Sequence, residues 1–349
     1  MPVILKLTGQ TVSHQKVTMY TAREIKPAII LSFAWPSLLF YLVYSVCLCS
    51  LNYFGHLAIG FSFVPIGLIG TAVAFYVGFK NNSSYERLWE ARRIWGALVN
   101  ASRTWGTYTL SYVKTSSPIS DMDEQQLQTK LIHGLIAYIN AIRIQLRQKS
   151  VWNNSNTTAH TVVKGGHENA PLHLLLSEFL TEQEVKYFLS KKNPATHILK
   201  SQATLLDDIF RKGGINERFY VQMMAIVQEF YNQQGAAERI KNFPFPRQYA
   251  YFSKVFVWLF ILVLPFGLIN EFAKLGEDMI WIAVPAYMII AWVFNTMEIV
   301  GDTSENPFEN AINDVPMTAI CRTIEIDLRE MLEEKSIPPA ITAVDNILM

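Results

Sequence analysis

Between Lys26 and Lys80 the chain carries no Asp, Glu, Lys or Arg, an interval of more than fifty residues. A bilayer crossing needs only about twenty apolar residues, so the interval predicts two membrane helices joined by a turn near Asn52, Tyr53, Gly55 and His56. The first is PAIILSFAWPSLLFYLVYSVCLCSL, Pro27 to Leu51, with Pro36 inside it. The second runs from Leu57 to Phe79, and its core from Phe61 is FSFVPIGLIGTAVAFYVGF. At about 100° per residue, Phe61, Val64, Leu68, Ala72, Phe75 and Phe79 fall in a stripe roughly 80° wide. Gly70, Ala74 and Gly78 recur on another face, where small side chains would let a neighbouring helix approach closely. One face is expected to pack and the other to be free, although spacing alone also fits a lipid-facing or core stripe.

Two further apolar runs follow much later, Val255 to Asn270 and Met279 to Met297, separated by Glu271, Lys274, Glu277 and Asp278. Only 17 % of the 349 residues are charged, against about 25 % in a soluble domain. The organisation expected is an N-terminal segment 1–26, two spans within 27–79, a helical region 80–247, two spans within 248–298 and a C-terminal segment 299–349. After Phe79 the charges return as KNNSSYERLWEARRIWGALVNASRTW, with helical spacing and interleaved aromatics. The second span should therefore continue as an amphipathic helix out of the membrane. LIHGLIAYINAIRIQLR and ERFYVQMMAIVQEFYNQQ read as further helices, and 150–171 as a polar loop. Lys and Arg crowd the N-terminal segment and the stretch after Phe79, while the turn near Tyr53 has none. The positive-inside rule then predicts both termini and the Lys80–Arg247 region in the cytoplasm. No charged-then-apolar start occupies the first twenty residues, so no cleaved signal peptide is expected.

Catalytic chemistry has little to build on. None of the seven histidines pairs with another at helical spacing, and HExxH, Walker, dinucleotide and GxSxG signatures are missing. Three scattered cysteines give neither a disulfide framework nor a zinc spacing. We expect no catalytic residue, no metal and no cofactor. A net charge of +1 gives no reason to expect nucleic acid as a partner. Charge-free spans argue against a proton-coupled transporter and fit a conduit shared between identical copies. A non-conducting membrane scaffold that docks a soluble partner is the rival reading.

The run VPIGLIGTAVAFYVGFKNNSSYERLWEARRIWGALVNASR resembles the second-helix signature of bestrophins, most closely their bacterial members. GAAERIKNFPFPRQYAYF resembles the lead into their third span, and IVGDTSENPFENAINDVPMTAICRTIEIDL the segment after the fourth. The resemblance implies an all-α membrane protein with four transmembrane helices per subunit, a large cytoplasmic helical region and a homopentamer around one central pore. It implies passive conduction of monovalent ions, typically chloride, in a bacterial inner membrane with lipid around it. A sodium-selective channel of the same architecture stays open, because animal members carry Phe where this chain has Leu68 and Ala72. Carried over, the neck of the pore falls on Val64, Leu68 and Ala72, with Phe75 next on the stripe. Pro65 would either aim backbone dipoles at the axis or kink the helix. The cytosolic aperture is expected on the helix 216–234, at Phe219, Gln222 and Ile226. Calcium-gated members have a dense acidic run after the fourth span. Here GDTSENPFEN spaces Asp302, Glu305 and Glu309 apart, so no calcium dependence is expected. Asp302 and Glu305 are expected to cap or to pair with Arg87, Arg92 or Arg93, while Asn81, Asn82, Tyr85, Glu86 and Arg87 join the membrane and cytosolic parts.

Overall fold

A computed structural model describes residues 19–20, 27–55, 60–114, 122–148, 171–309, 314–342 and 347–348. The stretch read as a polar loop lies outside these residues except for Pro171. Ten α-helices carry the described chain: α1 Pro27–Tyr53, α2 Phe63–Tyr112, α3 Glu124–Arg147, α4 Leu172–Ser177, α5 Glu182–Leu189, α6 Pro194–Arg211, α7 Glu217–Asn242, α8 Arg247–Ala273, α9 Ala283–Ser304 and α10 Met317–Met331. Two-residue strands, Met19–Tyr20 and Ile347–Leu348, pair antiparallel.

The 50-residue α2 is the spine. At 1.5 Å per residue it is about 75 Å long, roughly two and a half times what a bilayer core requires. No proline interrupts it beyond Pro65, and that residue sits in the first turn, where a proline forfeits no intrahelical bond. Pro65 therefore introduces no kink. The helix also starts later than its periodicity suggests. Phe61 precedes it, with its N–H donated to the Phe266 carbonyl (3.2 Å) and its ring 5.5 Å from that of Phe266.

Two apolar cores share this spine. In the first, Ile66, Val73 and Val77 of α2 meet Tyr41 of α1, Val257, Phe260 and Leu264 of α8, and Tyr287 and Ala291 of α9. Gly70 is the closest approach: a Cβ there would lie 2.7 Å from the Phe260 ring. Of the three small residues expected to pack, Gly70 is buried, Ala74 is half-buried and Gly78 has open space around it. The larger side chains Ile66, Val73 and Val77, rather than a run of small ones, make this contact. In the second core, Leu88, Trp95, Leu98 and Trp105 of α2 pack with α3, α6, α7 and α10. From Leu131 to Ile142, α3 is buried around most of its circumference, which makes it the central helix of this distal bundle.

Four helices are long and apolar enough to cross a membrane: α1, α2, α8, and α9 with the turn before it. The fourth run does not begin as α-helix at Met279. Residues Glu277–Ile282 form a 3-10 helix, and α9 starts at Ala283. Pro285 lacks the N–H that would reach back four residues, so the α-ladder cannot extend upstream through it. The segment FPFPRQYAYFSK, which leads into the third span, is helical from Arg247 onward.

Candidate functional site

The face of α2 opposite its packed side has no partner among the described residues. Val64, Leu68 and Phe75 are 70 %, 68 % and 69 % exposed, and Ala72 and Phe79 are exposed as well. Ile66, Gly70, Val73, Val77 and Lys80, half a turn away, are buried. Phe75 and Phe79 stand edge to face, with centroids 4.5 Å apart. Val64 to Phe79 spans fifteen residues, about 22 Å of helix. Large apolar side chains left bare in one line along a tightly packed helix mark a surface completed by something outside the subunit.

The exposed line continues beyond the apolar stretch. Tyr85, Glu86, Trp89, Arg93 and Asn100 border a 740 Å³ groove that Gln233 and Ala236 of α7 close on the other side. It leads into a second groove of 580 Å³ between Asn100, Thr104 and Tyr108 of α2 and Gln222, Ile226 and Glu229 of α7. Two of the aperture candidates, Gln222 and Ile226, thus share a groove with α2. Phe219 is held instead against Tyr112 at the end of α2, the rings stacked at 3.9 Å and 6°.

Where α2, α8 and α9 meet, a polar cluster sits between the two cores. Lys80 is buried and its Nζ lies 2.6 Å from Glu298 Oε1 and 3.3 Å from Asp302 Oδ1. Ser253 Oγ donates to Glu298 Oε2 at 2.5 Å. Asn81 donates to the Met297 carbonyl, and a Cβ on Gly301 would fall 2.1 Å from the Asn81 Oδ1. No local pattern reveals this cluster, since Lys80 simply ends one charge-free run and Glu298 follows another. Only the phase points to burial: Lys80 continues the buried line Ile66, Val73, Val77, and Glu298 continues Tyr287, Ala291, Asn295. About two turns further along α2, Arg87 donates to the carbonyls of Ile240 and Phe243 (3.0 Å each) and of Glu305 (3.1 Å). Its cation thereby caps the end of α7 and ties it to α2.

The acidic residues after the fourth run are already engaged. Asp302 pairs with Lys80, Glu309 with Lys241 at 3.1 Å, Asp314 with Arg147 at 2.9 Å, and Glu305 lies 3.6 Å from Arg247. The pairings expected for Asp302 and Glu305 are therefore corrected. Lys80 takes the first and Arg247 faces the second, because Arg87 is turned to main-chain carbonyls. With a cation against each carboxylate, they do not converge on a common point as calcium ligands would. Currents are expected to stay unchanged when micromolar calcium is added in a bilayer recording, and a rise would refute this assignment.

Glu305 is buried, and its carboxyl is raised above the usual range by that burial first and by Asp302. Lys80, Arg247 and Arg87 oppose the shift. A proton held more tightly in the folded than in the unfolded chain means stability falls as pH rises from the unfolded value through the raised folded one. Glu305→Gln should therefore gain on the wild type as the pH rises above about 4, the range of an unperturbed glutamate. Thermal unfolding in detergent across that rise checks the sign.

This arrangement defines a polytopic, all-helical membrane protein whose longest helix carries an unpartnered apolar stripe. The family model described as bacterial/fungal bestrophin protein matches residues 10–330, and the chain belongs to that family. It is 28 % identical over 291 residues to the voltage-dependent anion channel-forming protein YneE of Escherichia coli K12, covering 83 % of this chain and 84 % of that one. It is 26 % identical over 278 residues to the voltage-dependent anion channel-forming protein sll1024 of Synechocystis, covering 80 % and 78 %. The crystal structure of a bacterial bestrophin homologue from Klebsiella pneumoniae superposes with a TM-score of 0.71 at 24 % identity, over 86 % of this chain and 98 % of that one.

Proposed function

We propose that the protein is a passive channel for monovalent anions, built as a homopentamer in which five copies of α2 surround one axial pore. The observation that carries this reading is the exposed apolar line Val64, Leu68, Ala72, Phe75 on a helix whose opposite face is fully packed. Five copies of that line facing one axis would make an apolar neck. Such a constriction conducts when wetted and closes when it dewets. The printed names of the relatives, anion channel-forming proteins, support the choice of anions. Family membership directs the reading to conduction and away from enzymatic chemistry.

The grooves along α2 and α7 fit the path from the neck toward the cytosol, with Gln222 and Ile226 as the residues bordering its far end. Phe219 contributes by bracing the end of α2 through Tyr112. The abundance of Arg after Phe79 supports a cytoplasmic distal bundle and cytoplasmic termini in the inner membrane. Purified protein in liposomes under a chloride gradient is the test. Flux above empty vesicles, a reversal potential near that of chloride and a pentameric mass are expected. Absence of flux would favour the scaffold reading, and a reversal potential near that of the cation would reverse the selectivity.

A further inference from the structure

The apolar line on α2 does not end at Phe79. At about 100° per residue, Glu86 and Arg93 fall inside the same stripe as Val64, Leu68 and Phe75, each seven residues, or about 10 Å, beyond the last. Both are exposed, and both border the groove that continues from the apolar stretch. Their surroundings set them apart from neighbouring charges. Glu90, close by, is paired with Arg239, and Arg103 further along with Asp327. Among the described residues, the Glu86 carboxylate is met only by the Asn82 amide, 2.9 Å from one oxygen, and Arg93 faces no carboxylate. Evenly phased charges left without counter-ions on a helix whose Lys80, Glu90 and Arg103 are ion-paired are unusual for a merely solvated face, where acidic and basic side chains three or four apart tend to pair.

We propose that Glu86 and Arg93 form two successive rings of opposite sign below the neck, five carboxylates and then five guanidiniums, and that these rings set the ratio of anion to cation permeability. This rests on the pore reading above. An apolar neck does not choose a sign of charge, whereas a ring of like charges at a narrow passage raises the local concentration of its counter-ion. The ring of Glu86, nearer the neck, favours cations, and the ring of Arg93 favours anions. Selectivity is then a balance between two layers of one helix and is tunable at either.

The test is the reversal potential of the full-length protein in planar bilayers under a potassium chloride gradient at low ionic strength. Glu86→Gln should raise the chloride-to-potassium permeability ratio about threefold and Arg93→Gln should lower it about threefold, with Glu86→Asp close to wild type. Both shifts should collapse near 1 M salt, where the screening length is about 3 Å. Both side chains are exposed, so the variants should keep the wild-type oligomeric mass. If both glutamine variants keep the wild-type ratio while Leu68→Ser still alters the current, the rings are wrong and the pore stands. Variants that change oligomer stability and leave the ratio untouched would assign these side chains to a contact between subunits and overturn the proposal. A wild-type protein that passes no ions removes pore and rings together.

Discussion

Lys80→Met should lower stability by about 3–5 kcal/mol, the largest loss expected from any single substitution in the junction. Lys80 lies with no exposed surface between Glu298 and Asp302, and Ser253 completes the shell. Methionine fills much of the same volume, so the loss is electrostatic: Glu298, itself buried, would keep its charge with no cation beside it. In thermal unfolding followed by size exclusion in detergent, a drop of about 6 °C or more is the expected reading. Combining Lys80→Met with Glu298→Gln should recover most of it, because the uncompensated charge goes too. A double variant no better than the single one would show that lost packing, and not the stranded carboxylate, is responsible.

Leu68→Ser should raise current through the open pore about tenfold, the factor produced by removing about 1.4 kcal/mol from a wetting barrier. In the proposed pentamer, five leucines would give way to five hydroxyls that hold water in its neck. Leu68 is 68 % exposed in the subunit and touches neither core, so folding should be unaffected. Leu68→Glu should shift the permeability ratio toward cations. Wild-type conductance and selectivity from both variants would remove Leu68 from the neck.

Much of this architecture is legible in the sequence, for a physical reason. Spans announce themselves by the charge they exclude, and the interval from Lys26 to Lys80 admits no soluble alternative. The continuation of α2 past Phe79 follows from unbroken helical phase, and so does its bare apolar line. What tertiary approach decides was hidden. Lys80 and Glu298 are 218 residues apart, and no local pattern says that three helices close over them. The packing role given to Gly78 failed because the approach of α8 is centred on Gly70, two turns earlier. The far end of the path was harder still. On α7 the buried line Met223, Val227, Phe230 leaves candidate positions on both sides of it, and Phe219 turned out to be occupied by Tyr112.

One unbroken helix embedded in two cores can act as a lever. Its fulcrum is the place where Lys80 is clamped. Val64 lies sixteen residues to one side and Asn100 twenty to the other, about 24 Å and 30 Å along the axis. A tilt of about 5° at the clamp would swing Val64 by about 2 Å one way and Asn100 by a similar distance the other. In the pore proposed above, anything that leans on the distal arm would therefore adjust the bore at the opposite end.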